Sequence, residues 1–175
     1  ATADNDTREI ILQEGAYPYN FITCANAQIQ SSKINAGNYT SSLMFGIQWD
    51  LILKHLETNG IEKGELITDS SDWGNYRNVA FNINRGGYSS NPFKANGFVI
   101  LSENETYSKP ENGSVAIILT PGATDRNMKM NIYDIAGNLY EWTLEKTSSE
   151  YGPCVTRGGY CFGYGYDLPA SVRND

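Results

Sequence analysis

Histidine is almost missing from this 175-residue chain, with His55 alone. A metal centre built on several imidazoles is thereby excluded, and a Ser-His-Asp arrangement on His55 finds no Gly-x-Ser-x-Gly elbow or other nucleophile signature to support it. Cysteine is scarce too. Cys24, Cys154 and Cys161 cannot all pair within one chain, and their spacing matches no zinc pattern. Cations are few, 13 Lys and Arg against 20 Asp and Glu for a net charge of -7, and they cluster nowhere, which argues against a nucleic-acid partner. No run approaches the roughly 18 apolar residues that a membrane span requires. The opening residues Ala1 to Asp6 have neither the basic nor the apolar part of a leader, so the expectation is a soluble, processed or excised segment.

What is abundant is glycine (17) and tyrosine (12), on a background of 40% hydrophobic and 19% charged residues. That composition suits a loop-rich, β-rich fold with aromatic surfaces better than a helical bundle, and the length suits one domain with a real core. Residues 1–15 read as a loose N-terminal segment, and 16–175 as the domain. The stretch Ala16 to Cys24 mixes aromatics with Pro18 as an irregular or strand-like segment would, and is expected to lead into a first strand. The clearest helix is predicted between Ser41 and Asn59, from Leu43, Met44, Ile47, Leu51, Leu53 and Leu56, with Ser41 or Ser42 as N-cap, Gly60 just past the end, and Phe45 and Trp49 packed inward. His55 falls near its C-terminal end, where a cationic imidazole suits the helix dipole. Short apolar runs, Gly97 to Leu101 and Val115 to Leu119, predict strands between long loops, and loops that long in a compact domain are commonly functional or held by ions. No internal repeat and no low-complexity linker is present.

Three ordered blocks carry a resemblance. Asn131-Ile-Tyr-Asp-Ile-Ala-Gly-Asn-Leu-Tyr-Glu-Trp-Thr143, then Thr156-Arg-Gly-Gly-Tyr160, then Ala170-Ser-Val-Arg173 closely resemble the signature of formylglycine-generating-enzyme-like (sulfatase-modifying factor) domains. Phe45-Gly-Ile-Gln-Trp-Asp50 and Asp72-Trp-Gly-Asn75 also look like elements of that family, so the likeness spans about residues 39 to 173. It implies an α+β, C-type-lectin-like fold, loop-rich, with short strands and one or two helices. It also implies a further closing strand beyond the last block, where the sequence stops at Asp175, so a truncated C-terminus is an expectation; if that strand is absent, the sheet has an unpaired neighbour unless another chain supplies it, which leaves an oligomer open.

In the resembled family the positions matching Asp134, Gly137, Leu139 and Glu141 bind calcium. The residues themselves suit it: two carboxylates and freely oriented carbonyls lie within eight residues, and calcium prefers hard oxygen ligands from one loop. Gly137 would let the chain turn tightly enough to aim those carbonyls inward. The alternative is that Asp134 or Glu141 caps a turn or pairs with Arg157 or Arg173. Tyr140 and Trp142 read as core, and Arg157-Gly-Gly159 as structural, with the Arg fixing a loop through bidentate hydrogen bonds.

The family's oxidases hold Cu(I) with two nearby thiolates after the Gly-Gly block. Here Cys161 stands alone in that region, Tyr166 occupies the expected second place, and Cys154 lies on the far side of Arg157. The family's sulfoxide synthases need several histidines, which this chain lacks. Copper-dependent oxidation stays as an alternative that requires Cys154 and Cys161 side by side. Instead, Tyr160-Cys-Phe-Gly-Tyr-Gly-Tyr-Asp167 alternates aromatics and glycines where the family's active-site wall would be, and resembles a paratope: tyrosines give contact area with few rotors while glycines adapt.

The expected role is a non-catalytic binding module whose contacts are Tyr160, Cys161, Phe162, Tyr164, Tyr166, Asp167 and Asn174, with a protein or carbohydrate ligand at a cell surface. The stretch also resembles the variable proteins of diversity-generating retroelements, and every residue from 160 to 167 is reachable from the adenine-rich codons that such systems mutate. A third reading is a structural tip domain of a phage tail or bacterial surface protein, with the aromatic loop buried in an oligomer interface. An extracellular, cell-surface or virion location follows from the family likeness alone.

Overall fold

A computed structural model describes residues 15–34, 37–91, 97–111, 116–148 and 153–175. Nearly all of the N-terminal segment expected to be loose, and Val115 of the second apolar run, lie outside the described residues. The rest is a mixed α+β arrangement of three helices and several small antiparallel sheets.

The segment before Cys24 forms no strand; it runs irregularly to Thr23, whose hydroxyl accepts the Asn26 N–H and starts helix α1 (Cys24–Ser31). Sequence periodicity gave this helix little signal because only one flank of it, Cys24, Ala27, Gln30 and Ser31, is buried, and half of those residues are polar. Helix α2 (Gly46–Thr58) has its N-cap at Phe45, three or four residues later than the serines suggested. Leu43 and Met44 are held extended: Leu43 N–H donates to the Gln28 side chain, and Met44 accepts the Leu144 N–H. The first turn closes instead through Gln48, whose side-chain oxygen accepts the Phe45 N–H at 2.8 Å. A Cβ on Gly46 would lie 2.2 Å from a Glu145 carboxylate oxygen, so glycine admits a carboxylate against the positive end of this helix. Trp49, Leu53 and Leu56 face the core as expected, but Phe45, Ile47 and Leu51 are at least half exposed, which corrects the inward placement of Phe45. A short third helix, α3 (Lys63–Ile67), buries Leu66 beside α2.

The strands are brief. They are β1 (Phe81–Ile83), β2 (Gly87–Ser89), β3 (Val99–Ile100), β4 (Tyr107–Lys109), β5 (Ile118–Leu119), β6 (Met128–Lys129), β7 (Ile132–Tyr133), β8 (Glu141–Lys146), β9 (Cys154–Arg157) and β10 (Arg173–Asn174). Both apolar runs thus contain strands, shorter than their hydrophobic stretches. The longest ladder pairs β8 with β9, placing Glu141 opposite Arg157 and Lys146 opposite Cys154 across an irregularity, and β10 pairs on the other side of β9. One core gathers Trp49, Leu53, Leu56, Leu66, Trp73 and Tyr76 around Ile135, Ala136 and Ala170. Each such large side chain contributes on the order of 1.5–3 kcal/mol by leaving water. The main-chain turn carrying Asp134 to Glu141 is therefore anchored in the middle of the molecule. A disulfide joins Cys24 to Cys154, tying α1 to β9, while Cys161 is free and buried.

Candidate functional site

Two Gly-Asn pairs, Gly74-Asn75 and Gly137-Asn138, face each other and build the floor of the candidate site. Asn75 N–H donates to Ala136 O and Asn138 N–H to Asn75 O, at 3.1 and 2.9 Å. The Asn75 amide donates to Ile117 O and to Asn138 Oδ1, which also accepts the Leu119 N–H, and all of this is buried. Gly137 has φ +73°, and a Cβ there would come 2.3 Å from Asn75 O. Its requirement is thus close approach of the Asn75 backbone together with a left-handed turn; nothing in its contacts requires carbonyls aimed at an ion. Leu139 is half-buried and packs its side chain against the cluster of Ala116, Ile118 and Cys161.

The two carboxylates are brought into electrostatic contact. Asp134 sits at φ +57° and accepts from Gly122 N–H and the Asn127 amide, both at a long 3.4 Å. Burial raises its pKa, against those two bonds. Glu141 is pushed well above the usual carboxylate range, first by burial and then by the charge of Asp134. Its Oε2 is shut away from solvent without a hydrogen-bond partner, as is Asn127 Oδ1. A Cβ on Gly158 would stand 2.9 Å from that Oε2 and 3.1 Å from Ile135 O, so glycine keeps open the space beside both oxygens.

Neither arginine relieves this charge. Arg157 turns to Asp50 and, at 3.7 Å, to Glu145; Arg173 takes Glu145 and Asp175. Arg157 is structural in that it joins α2 to β8, but through separate contacts to two carboxylates, in place of the bidentate hold on a loop that was expected. Two half-buried carboxylates, one with an oxygen shut away from solvent, and no cationic side chain paired with them among the described residues favour either a shared proton or a bound positive ion, because isolated buried charge is costly. The donors here are all oxygens, which fits a hard cation such as calcium. Among the described residues no group of three or more His, Cys, Asp or Glu side chains is gathered. An ion here would therefore rest on Asp134 and Glu141 with amide and carbonyl oxygens, Asn127 and Ile135 being the nearest candidates.

The aromatic loop splits into two alternating sets. Tyr166 and Asp167 are exposed, Tyr160, Phe162 and Tyr164 are half-buried, and Cys161, Gly163 and Gly165 are buried. Tyr164 and Tyr166 stack with ring centroids 5.3 Å apart and planes 8° from parallel; Tyr160 stacks on Tyr140 at 4.7 Å and leans toward Phe162. Tyr140 is thus half-buried beside the loop, a correction to its placement in the core; Trp142 is also half-buried, with its indole N–H on Ile22 O. Asn174 is exposed on β10.

Cys161 drops out of the contact set. It is 1% exposed, and burial raises its thiol to about 12. The glycines do not supply adaptability either. A Cβ at Gly165 would be 2.5 Å from Ser71 N, and one at Gly163 would be 2.3 Å from a Leu168 methyl carbon. Backbone bonds lock the same places: Ser70 N–H to Gly165 O and Arg77 N–H to Gly163 O. The copper arrangement of Cys154 beside Cys161 is not assembled, since Cys154 is bonded to Cys24. His55 lies exposed on α2, next to the Asn59 amide.

Sequence reasoning missed Lys109 and Tyr76, which carry the loop's support. Lys109 is buried and its ammonium donates to the carbonyls of Tyr76, Arg77 and Val79; burial draws its pKa down to about 8. The Tyr76 hydroxyl donates to Leu168 O at 2.7 Å, just beyond the aromatic loop. A lone lysine in a polar run announces none of this. The repeated Gly-Asn pairs were the one available signal for the Asn75–Asn138 latch. No family model, no curated protein and no solved structure matches this chain.

Proposed function

We propose that the chain is a non-catalytic ligand-binding module of the formylglycine-generating-enzyme-like branch of the C-type lectin fold, and that residues 160–167 present its recognition surface. The observation that carries this reading is the alternation in that loop: aromatics at 160, 162, 164 and 166 reach solvent fully or in part, while 161, 163 and 165 are packed into the scaffold. A surface whose large side chains stand on a fixed backbone loses little entropy on binding. The same alternation suits diversification confined to the displayed positions, with protein or carbohydrate as the ligand.

Calcium at the Asp134–Glu141 turn is part of the proposal, supported by the unpartnered Glu141 oxygen and the space that Gly158 leaves beside it. An extracellular, cell-surface or virion setting is supported by the Cys24–Cys154 disulfide, a bond that persists in oxidising compartments. That same bond, with Cys161 buried, weighs against copper-dependent oxidation.

The test is a phage-displayed library randomised at 160, 162, 164 and 166 and panned on hen egg lysozyme as an arbitrary protein target, beside a second library randomised at 161, 163 and 165. The first is expected to yield cooperatively folded binders, and the second few folded clones. Equal loss of folding in both libraries, or turnover of a cysteine peptide by the copper-loaded protein, would sink the reading.

A further inference from the structure

Tyr164 and Tyr166 form a nearly parallel stacked pair at the molecular surface, and Tyr166 is 55% exposed. The pair is held in place from below, because Gly165 lies on Ser71 and its carbonyl accepts the Ser70 N–H at 3.2 Å. That docking sets Asp69 beside the rings, with one carboxylate oxygen already oriented by the Ser71 N–H at 2.8 Å. Asp167 follows directly in the chain, and its own N–H is tied to Tyr164 O at 3.1 Å. Both carboxylates are exposed. The Tyr166 phenol registers this setting: its pKa is raised, first by desolvation and then by neighbouring Asp167, Tyr164 and Asp69, of which the two aspartates carry negative charge. Arg126, on the other side of Ser71, is committed to the carbonyls of Ser71 and Gly74.

Resting on the binding role proposed above, we infer that the Tyr164–Tyr166 face, flanked by Asp69 and Asp167, is the docking place for an arginine side chain on a basic segment of a protein partner. Charge complementarity selects the occupant. Aromatic faces attract cations, the exposed Asp69 carboxylate held by the Ser71 N–H and the exposed Asp167 adjoining Tyr166 favour a donor over an acceptor, and the chain's net charge of -7 steers positive segments inward. The flat guanidinium fits better than an ammonium, since it stacks on a ring while its N–H fork meets a carboxylate. A neutral sugar would stack on the same rings and could donate hydroxyls to the aspartates, yet it brings no positive charge to offset theirs.

The test is a titration of protein carrying ring-13C tyrosine with acetyl-Gly-Arg-Gly-Arg-Gly-amide, its citrulline counterpart and methyl β-glucoside, following the Tyr164 and Tyr166 ring signals. The arginine peptide is expected to shift both signals saturably, about tenfold more tightly than the citrulline peptide, which has the same shape without the charge. Asp69→Asn and Asp167→Asn should each weaken it roughly three- to tenfold at unchanged thermal midpoint, and 0.5 M NaCl should weaken it further. Equal binding of the arginine and citrulline peptides overturns the inference and leaves the aromatic recognition surface standing. So does a shift with methyl β-glucoside alone, which would point to a carbohydrate ligand. Silence of both ring signals with every probe overturns the inference and the recognition surface together.

Discussion

Alanine at Gly165 is expected to damage the protein more than removal of the whole Tyr166 ring next to it. The added methyl would fall 2.5 Å from both the backbone nitrogen and the hydroxyl of Ser71, and 2.8 Å from its Cα, so a backbone segment has to move. Overpacking of this kind costs about 1–3 kcal/mol. For a chain of this size each kcal/mol is worth about 2–4 °C, so the midpoint should fall by roughly 2–12 °C. Gly163→Ala meets the far end of the Leu168 side chain, which can rotate away, and should cost less. Tyr166→Ala removes an exposed ring whose stacking is worth on the order of 0.5–1.5 kcal/mol, so its fall should be roughly 1–6 °C. The assay is thermal unfolding by circular dichroism of the three variants beside the parent. If Tyr166→Ala proves the worst and Gly165→Ala is silent, the division of the loop into anchors and displayed residues is refuted.

Asn75→Ala should cost about 1–3 kcal/mol in the same assay, because it strips a buried latch and takes the amide donor from the Ile117 carbonyl, while Asn138 Oδ1 keeps the Leu119 N–H. Asp134 and Glu141 both have raised folded-state pKa values. In a chelator the stability they confer should therefore be complete below the ordinary carboxylate range and be lost as pH rises through the raised values. A midpoint scan from pH 4 to pH 8 should show that loss in the parent and a flatter line in Glu141→Gln. Calcium at a hundredfold its Kd should stabilise the parent by about 2.7 kcal/mol at pH 7 and leave Glu141→Gln unchanged; a parent indifferent to calcium would remove the ion from the account. Thiol titration should find no reactive group in the folded protein, one after denaturation and three after reduction as well, given the Cys24–Cys154 bond and the buried Cys161. Any fast-reacting thiol in the native state would contradict that pairing.

Much of the mixed α+β character was legible from residue patterns, and its limits have physical causes. Trp49, Leu53 and Leu56 announced the inner face of α2 because they recur at helical spacing, yet the start of that helix was misplaced. Ser41 and Ser42 are good caps in isolation, whereas the strand bond from Leu144 N–H to Met44 O holds the chain extended past them. Helix α1 was hidden by a buried face that includes Gln30 and Ser31. In the candidate site the two carboxylates were visible as residue types, but their burial and coupling depend on how the turn packs, and the turning away of Arg157 depends on a contact more than a hundred residues apart, with Asp50. The Tyr/Gly loop was found by composition. That its glycines are clamped could not be read, because Ser71 and Leu168 press on them only in three dimensions.

Hydroxyl-radical footprinting of the tyrosines tests the central claim, that the 160–167 loop displays Tyr166 above a support that includes the buried Tyr76. The account predicts fast oxidation of Tyr166, intermediate rates for Tyr160 and Tyr164, and strong protection of Tyr76, which is 0% exposed. Protection of Tyr166 as complete as that of Tyr76 would contradict it, placing the loop inside an interface and making the chain a structural tip in place of a recognition surface.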